Sequence, residues 1–130
     1  MTDLSKTLAL ASSGMRAQSS RLRMVSENLA NTDTPGYRRK MSSFEQVSGL
    51  SKQAGEVRSG RTQLDHSELP KIFDPSHPMA NNEGYYDGSN VNLMIEIADA
   101  REAQRSYEAN LKMFEQARKM SSSLMNLLHR

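Results

Sequence analysis

The chain has 130 residues, 36% of them hydrophobic, with 17 basic against 15 acidic side chains and neither cysteine nor tryptophan. That composition excludes a disulfide framework and a thiolate metal site, and a mean hydropathy of −0.70 leaves little material for a large self-contained core. No apolar run approaches the roughly 18 residues of a membrane span, the opening MTDLSKTLALASSGMRAQ lacks the continuous apolar block of a secretory signal, and 5% aromatic residues give no base-stacking platform.

The first predicted element is a helix over roughly residues 4–31. Leu4, Leu8, Ala11, Met15, Gln18, Leu22, Val25 and Leu29 follow at alternating steps of four and three, the spacing of a heptad seam. Thr2 or Asp3 is expected to cap its start. Its end is written in ENLANTDTPGYRRK, Glu27 to Lys40: the residue before Pro35 avoids helical geometry, Gly36 permits the turn, and Tyr37 follows at once. Asn28 and Asn31 are placed to bond the exposed carbonyls and amides of the helix end, and Tyr37 to anchor the departing chain with its ring while its hydroxyl stays bonded. The basic run Tyr37 to Lys40 reads as a solvated or subunit-facing patch, too small a charge excess to imply nucleic acid.

Between residues 41 and 90 the balance turns acidic, seven carboxylates against four basic groups. MSSFEQV, GEVRSGRTQL and LPKIFDP show short alternation between glycines and predict two or three short strands. The stretch DPSHPMANNEGYYDGSN is dense in turn-forming residues and reads as a loop returning to the second helix.

That second helix is capped by Ser89 or Asn90 and runs to the end of the sequence without proline or glycine. Leu93, Ile97, Ala100, Gln104, Tyr107, Leu111, Phe114, Arg118, Ser121, Met125 and Leu128 repeat the heptad stepping, widened by Ala103, Ala117 and Leu124. Glu108 with Lys112 and Glu115 with Lys119 stand as i,i+4 pairs in the favourable order. Two such helices are expected to pack as a coiled pair, with Met15, Leu22, Val25 and Leu29 facing residues such as Tyr107, Leu111 and Phe114. Gln18 and Gln104 could bond each other across the seam, or simply remain partly solvated. Two helices cannot cover both sides of so wide a stripe, so apolar surface is left for another protein. Met15, Met94, Met113, Met120 and Met125 lie on or near these stripes, where thioethers serve either as core filling or as adaptable contacts.

Catalytic chemistry finds little support. His66, His77 and His129 fall in separate segments, and DHSE, Asp65 to Glu68, is the only cluster joining acid, imidazole and hydroxyl. Successive residues of an extended run point to opposite faces, so DHSE reads as solvated surface. Neither a phosphate loop nor a nucleophile elbow is present.

ENLANTDTPGY, Glu27 to Tyr37, resembles the N-terminal signature of the bacterial flagellar rod, hook and hook-filament junction proteins. FDPSHPMANNEGYYDGSNVN, Phe73 to Asn92, with EIADAREAQRSYEANLKMFEQARKM, Glu96 to Met120, is similar to the C-terminal half of the short proximal members of the flagellar rod family. The resemblance implies a structural subunit of the basal-body rod that spans the periplasm, without catalysis, cofactor or metal, exported by the flagellar type III apparatus with no cleaved signal. The fold expected is mainly α, with the N- and C-terminal helices paired as an antiparallel coiled coil around a small β/loop middle segment. Its parts are residues 1–31 as the first helix, 32–90 as turn, strands and extended loop, and 91–130 as the second helix. Asn28, Ala30, Asn31, Thr34, Pro35, Gly36 and Tyr37 form the helix-end turn motif. Leu4, Leu8, Met15, Gln18, Leu22, Val25, Leu29, Ile97, Gln104, Tyr107, Asn110, Leu111, Phe114, Leu124 and Leu128 are expected to form the helix pairing and subunit interface. The implied partners are other copies, rod proteins of the FlgB-like, FlgF-like and FlgG-like kinds, membrane-ring and rod-adaptor proteins, and the export apparatus, with no nucleic acid and no small-molecule substrate. The residues alone also leave open a helical binding module or adaptor that docks a single partner. An enzyme using DHSE is the third alternative.

Overall fold

The apolar periodicities at the two ends of the chain become two long helices, α1 (Thr2–Ala30) and α2 (Leu93–Leu128). The structure, a computed structural model, describes residues 2–129. At about 1.5 Å per residue α1 is about 43 Å long and α2 about 54 Å. Asp3 lies inside the first turn of α1, where its charge suits the positive end of the helix, and so does not cap it; the side chain of Thr2 lies outside the described residues. The cap of α2 is Asn92, not Ser89 or Asn90. Asn92 has extended backbone, φ −101° and ψ 110°, and its Oδ1 accepts from the amides of Met94 (3.1 Å) and Ile95 (3.4 Å). Ser89 and Asn90 are instead committed to contacts with distant segments.

The middle segment holds six strands of two or three residues in three antiparallel pairs. β1 (Lys40–Met41) pairs with β4 (Gln63–Leu64), β2 (Phe44–Gln46) with β3 (Val57–Ser59), and β5 (Lys71–Phe73) with β6 (Tyr85–Asp87). β6 lies in the run expected to be loop. Tyr85, Tyr86 and Asp87, flanked by Gly84 and Gly88, pair with Phe73, Ile72 and Lys71 in turn, a partnership too short to register as alternation. The β2–β3 pair sits on α1, where the Val57 amide donates to Ser13 Oγ (3.0 Å) and that hydroxyl donates to Leu10 O (2.8 Å).

α1 and α2 lie against each other through small side chains. Among the described residues the buried apolar side chains are Ala11, Ala17, Val25, Ala103 and Ala117. Gly14 approaches α2 so closely that a Cβ there would stand 2.8 Å from the side-chain atoms of Asn110. The buried face of α2 runs Glu96, Ala103, Ala117, with half-buried Asn110 between, all at steps of seven. It is offset by one residue from the apolar seam of Ile97, Gln104, Leu111 and Arg118. Small residues let the backbones close up, and the larger apolar side chains are left along the flank of the contact.

The larger side chains are accordingly less covered. Val25 is buried; Leu4, Leu8, Met15, Gln18, Leu22, Leu29, Ile97, Tyr107, Asn110 and Phe114 are half-buried; Gln104, Leu111, Leu124 and Leu128 are exposed. The Gln18–Gln104 bond is not formed, because Gln104 points to solvent while Gln18 Oε1 is buried without a hydrogen-bond partner. Glu108 and Glu115 likewise do not engage Lys112 and Lys119 among the ion pairs of the described residues. Exposed i,i+4 pairs contribute only about 0.3–0.5 kcal/mol, too little to hold long side chains in one geometry.

Candidate functional site at the helix junction

The C-terminal end of α1, the N-terminal end of α2 and the start of the middle segment meet at one place, and α1 ends there because its own side chains cap it. Asn31 Nδ2 donates to Glu27 O (2.8 Å) and Thr32 Oγ1 to Leu29 O (2.8 Å), satisfying carbonyls the helix leaves free. The turn follows directly: Tyr37 N donates to Thr34 O (3.2 Å), with Pro35 and Gly36 at the two central positions and Gly36 at φ +73°. Those are the requirements of a type II turn, in which proline presets the first corner and the second needs positive φ. Ala30, Thr34 and Gly36 are exposed, Asn31 and Pro35 half-buried.

Asn28 was expected to bond the helix end; the structure gives it a longer reach. Fully buried, it accepts from Tyr37 Oη (2.9 Å) and from the Lys40 amide (2.9 Å), and its Nδ2 donates to Lys40 O (2.8 Å) and toward Glu96 Oε2 (3.4 Å). A single side chain thus mimics a strand partner for Lys40, so the chain that leaves α1 is brought back onto it.

The basic run after the turn is bonded within the chain, and Arg39 is the best covered of the three. Arg39 Nε donates to Glu96 Oε1 at 2.7 Å, and the same guanidinium lies 3.6 Å from Asp65 and 3.8 Å from Asp99. Glu96 is fully buried at the start of α2. Arg21 adds a second tie from α1 to α2, 3.3 Å from Asp99 and 3.5 Å from Glu102. Lys40 pairs with Glu27, and Arg38 donates to the carbonyls of Ser67 (2.9 Å) and Asp65 (3.3 Å). Asp65, part of the run read as free surface, is therefore anchored; His66 and Glu68 beside it are exposed.

Residues 87–90 close the junction from the other side. Gly36 N donates to Asp87 O (3.0 Å), Asn90 N to Tyr37 O (3.3 Å), and Arg39 N to Asn90 Oδ1 (2.7 Å). Asn90 Nδ2 donates to Asp65 O (2.9 Å), and Ser89 Oγ donates to Thr32 O.

The charges respond to this packing. Burial, with the nearby carboxylates of Glu27 and Glu96, holds the Tyr37 phenol above its ordinary pKa and so keeps it a donor to Asn28. Burial of Arg39 opposes its charge, but the hydrogen bond and charge of Glu96, joined by Asp65, outweigh that and raise it. The Ser67 amide, with Arg39 beyond it, holds Asp65 below the usual carboxylate range. Both oxygens of Glu96 face nitrogen donors, so the carboxylate is fixed as a structural acceptor. No group of three or more metal-ligating side chains is gathered among the described residues.

The sequence pointed to Asn28 and Tyr37 but missed Glu96, Arg39, Asn90 and Ser89. The readable signal for Glu96 was its place seven residues before Ala103 on the buried face.

Residues 8–38 match the family described as "Flagella basal body rod protein", and residues 82–127 match "Flagellar basal body rod FlgEFG protein C-terminal". The two matches end inside and begin beside the junction. Over nearly its whole length the chain is similar to the flagellar basal-body rod protein FlgC of Agrobacterium fabrum, at 41% identity covering 98% of this chain and 97% of that protein. The FlgC of Bacillus subtilis is 34% identical, covering 81% and 85%, and that of Salmonella typhimurium 27% identical, covering 91% and 92%.

Proposed function

The chain belongs to the FlgC family of flagellar basal-body rod proteins, and from that premise we propose how its structure serves a rod subunit. It is a structural component of the flagellar basal body, not an enzyme.

In this reading α1 and α2 pair as an antiparallel coiled coil. The order of their contacts supports it, since Gly14 meets Asn110, Arg21 meets Asp99 and Glu102, and Asn28 meets Glu96, partner numbers falling on one helix as they rise on the other. Residues 1–31 and 91–130 form the rod core, residues 32–90 stand off it, and the junction sets the angle between them. Copies assemble helically beside other rod proteins of the FlgB-like, FlgF-like and FlgG-like kinds, and between membrane-ring or adaptor proteins and the hook they transmit torque. The flagellar type III apparatus exports the chain. A cysteine-free polypeptide with few fully buried side chains suits threading through a narrow channel and completing its burial afterwards.

One observation carries the proposal. The single chain exposes 9475 Å², whereas a compact monomer of its mass, 14.6 kDa, exposes about 6,900 Å². The excess is of the size that obligate interfaces remove, about 2,000–5,000 Å². Sedimentation of the purified chain across a concentration series, with far-ultraviolet circular dichroism on the same samples, tests it. Polymer formation accompanied by rising helicity is expected. A heat-resistant, fully helical monomer at every concentration, or a stable soluble complex with one partner, would instead identify an adaptor.

A further inference from the structure

The middle segment holds to the helix pair in two different ways. β3 packs along α1, and β1 touches α1 as well, whereas β4, β5 and β6 have no packing contact of comparable extent with either helix. The large apolar side chains of those three strands, Leu64, Ile72, Phe73 and Tyr85, are 40–62% exposed. Apolar contact, which tolerates sliding and rotation because it is non-directional, therefore does little to fix the direction in which this half of the middle segment leaves the helices. Directional polar bonds are left to do so.

Toward α2 those bonds converge on one residue. Among the described residues Arg39 is the one side chain of residues 32–90 that bonds to α2. Its three guanidinium nitrogens face three different carboxylates: Nε faces Glu96 at 2.7 Å, Nη1 Asp65 at 3.6 Å and Nη2 Asp99 at 3.8 Å. Glu96 and Asp99 share one face of the first turns of α2, being three residues apart, and Asp65 follows directly on β4. Asn90 Oδ1 holds the Arg39 amide as well (2.7 Å). A planar fork engaged on three sides has one orientation, whereas a lysine ammonium, a point charge on a flexible stem, would reach one of the carboxylates and leave the others.

Such a bond is poorly suited to holding the fold together. Glu96 is fully buried and Arg39 is 20% exposed, so the attraction between them is offset by the water both have lost, and apolar residues of similar volume stabilise as well. We propose that Arg39 is an alignment residue: clamped by Glu96, Asp99 and Asp65, it fixes the direction of β4, β5 and β6 relative to α2 while adding little to stability. This rests on the reading above, in which the junction sets the angle between the helix pair and the middle segment, and names the side chain that sets it.

The native chain has no cysteine, so spin labels can be placed at chosen exposed positions. Gln104→Cys on α2 with Asn82→Cys in the β5–β6 loop reports the direction, and Gln104→Cys with Gln46→Cys on β2, whose partner strand packs on α1, serves as control. Double electron–electron resonance is recorded on the monomer, with urea titrations of the unlabelled proteins. Arg39→Met alone leaves Glu96 buried and unpaired and should lower the unfolding midpoint by about 1.5 M or more. Adding Glu96→Leu should bring it back to within about 0.5 M of wild type, since Asp99 keeps Arg21 and Asp65 keeps the Ser67 amide. In that double variant, and in Arg39→Lys, which keeps the charge without the fork, the Gln104–Asn82 distance distribution should broaden about twofold while the control stays as narrow as in wild type. A double variant as unstable as Arg39→Met alone overturns the proposal by making the pair a stabiliser. Unchanged widths in both variants, or equal broadening of the control, overturn it by placing the alignment elsewhere. Because the distances belong to the monomer, failure of the assembly reading shows in sedimentation alone.

Discussion

Replacing Asn28 with alanine removes the side chain through which α1, Tyr37, Lys40 and Glu96 are joined. Three of its bonds are 2.8–2.9 Å long and the fourth is 3.4 Å. At about 1 kcal/mol for each of the three short bonds the loss is about 3 kcal/mol, before any cost of leaving Glu96 short of a donor. With a urea dependence of about 2 kcal/mol per molar, the unfolding midpoint should fall by about 1.5 M. The assay is urea titration followed by circular dichroism at a protein concentration below assembly, with Leu50→Ala, at a fully exposed side chain, as the unshifted control. Asn28→Asp keeps the shape but turns the donating nitrogen into an acceptor facing Glu96 and Lys40 O, so at neutral pH it should destabilise at least as much. A midpoint shift under about 0.5 M for Asn28→Ala, equivalent to about 1 kcal/mol, would refute the reasoning by showing that water replaces these bonds at little cost.

Gly36→Val places a β-branched residue at φ +73°, which costs about 1–2 kcal/mol and bends the exit from α1. We predict continued export but defective rod assembly, scored by secretion assay and swimming; normal motility would contradict the role given to the turn. Asp65 is depressed in the folded state, so its contribution is present above the unfolded aspartate pKa of about 3.9 and is lost as pH falls through the lower folded value. Wild type and Asp65→Asn should therefore differ in stability at pH 6 and converge toward pH 2 in parallel urea titrations. A constant difference across that range would exclude the Ser67 and Arg39 contacts as its source.

The sequence by itself determined the two helices, their lengths, the turn between Thr34 and Tyr37, the absence of cysteine chemistry and the family signature, because each is local. A helix declares itself within about eleven residues, a type II turn within four, and a motif is read without knowing what it touches. It did not determine which face of each helix would be buried. The largest apolar side chains mark a seam through Leu22, Leu29, Ile97 and Leu111, yet closeness between helices is governed by the smallest residues: of the seam itself only Ala11 and Val25 are buried, and Gly14, Ala17, Ala103 and Ala117 set the rest of the contact one position away. Nor could it pair Arg39 with Glu96 or Ser89 with Thr32, each separated by 57 residues along the chain. Buried charge is tolerated only where a partner of opposite sign arrives from elsewhere, and that arrival is a property of the tertiary fold, not of either segment alone.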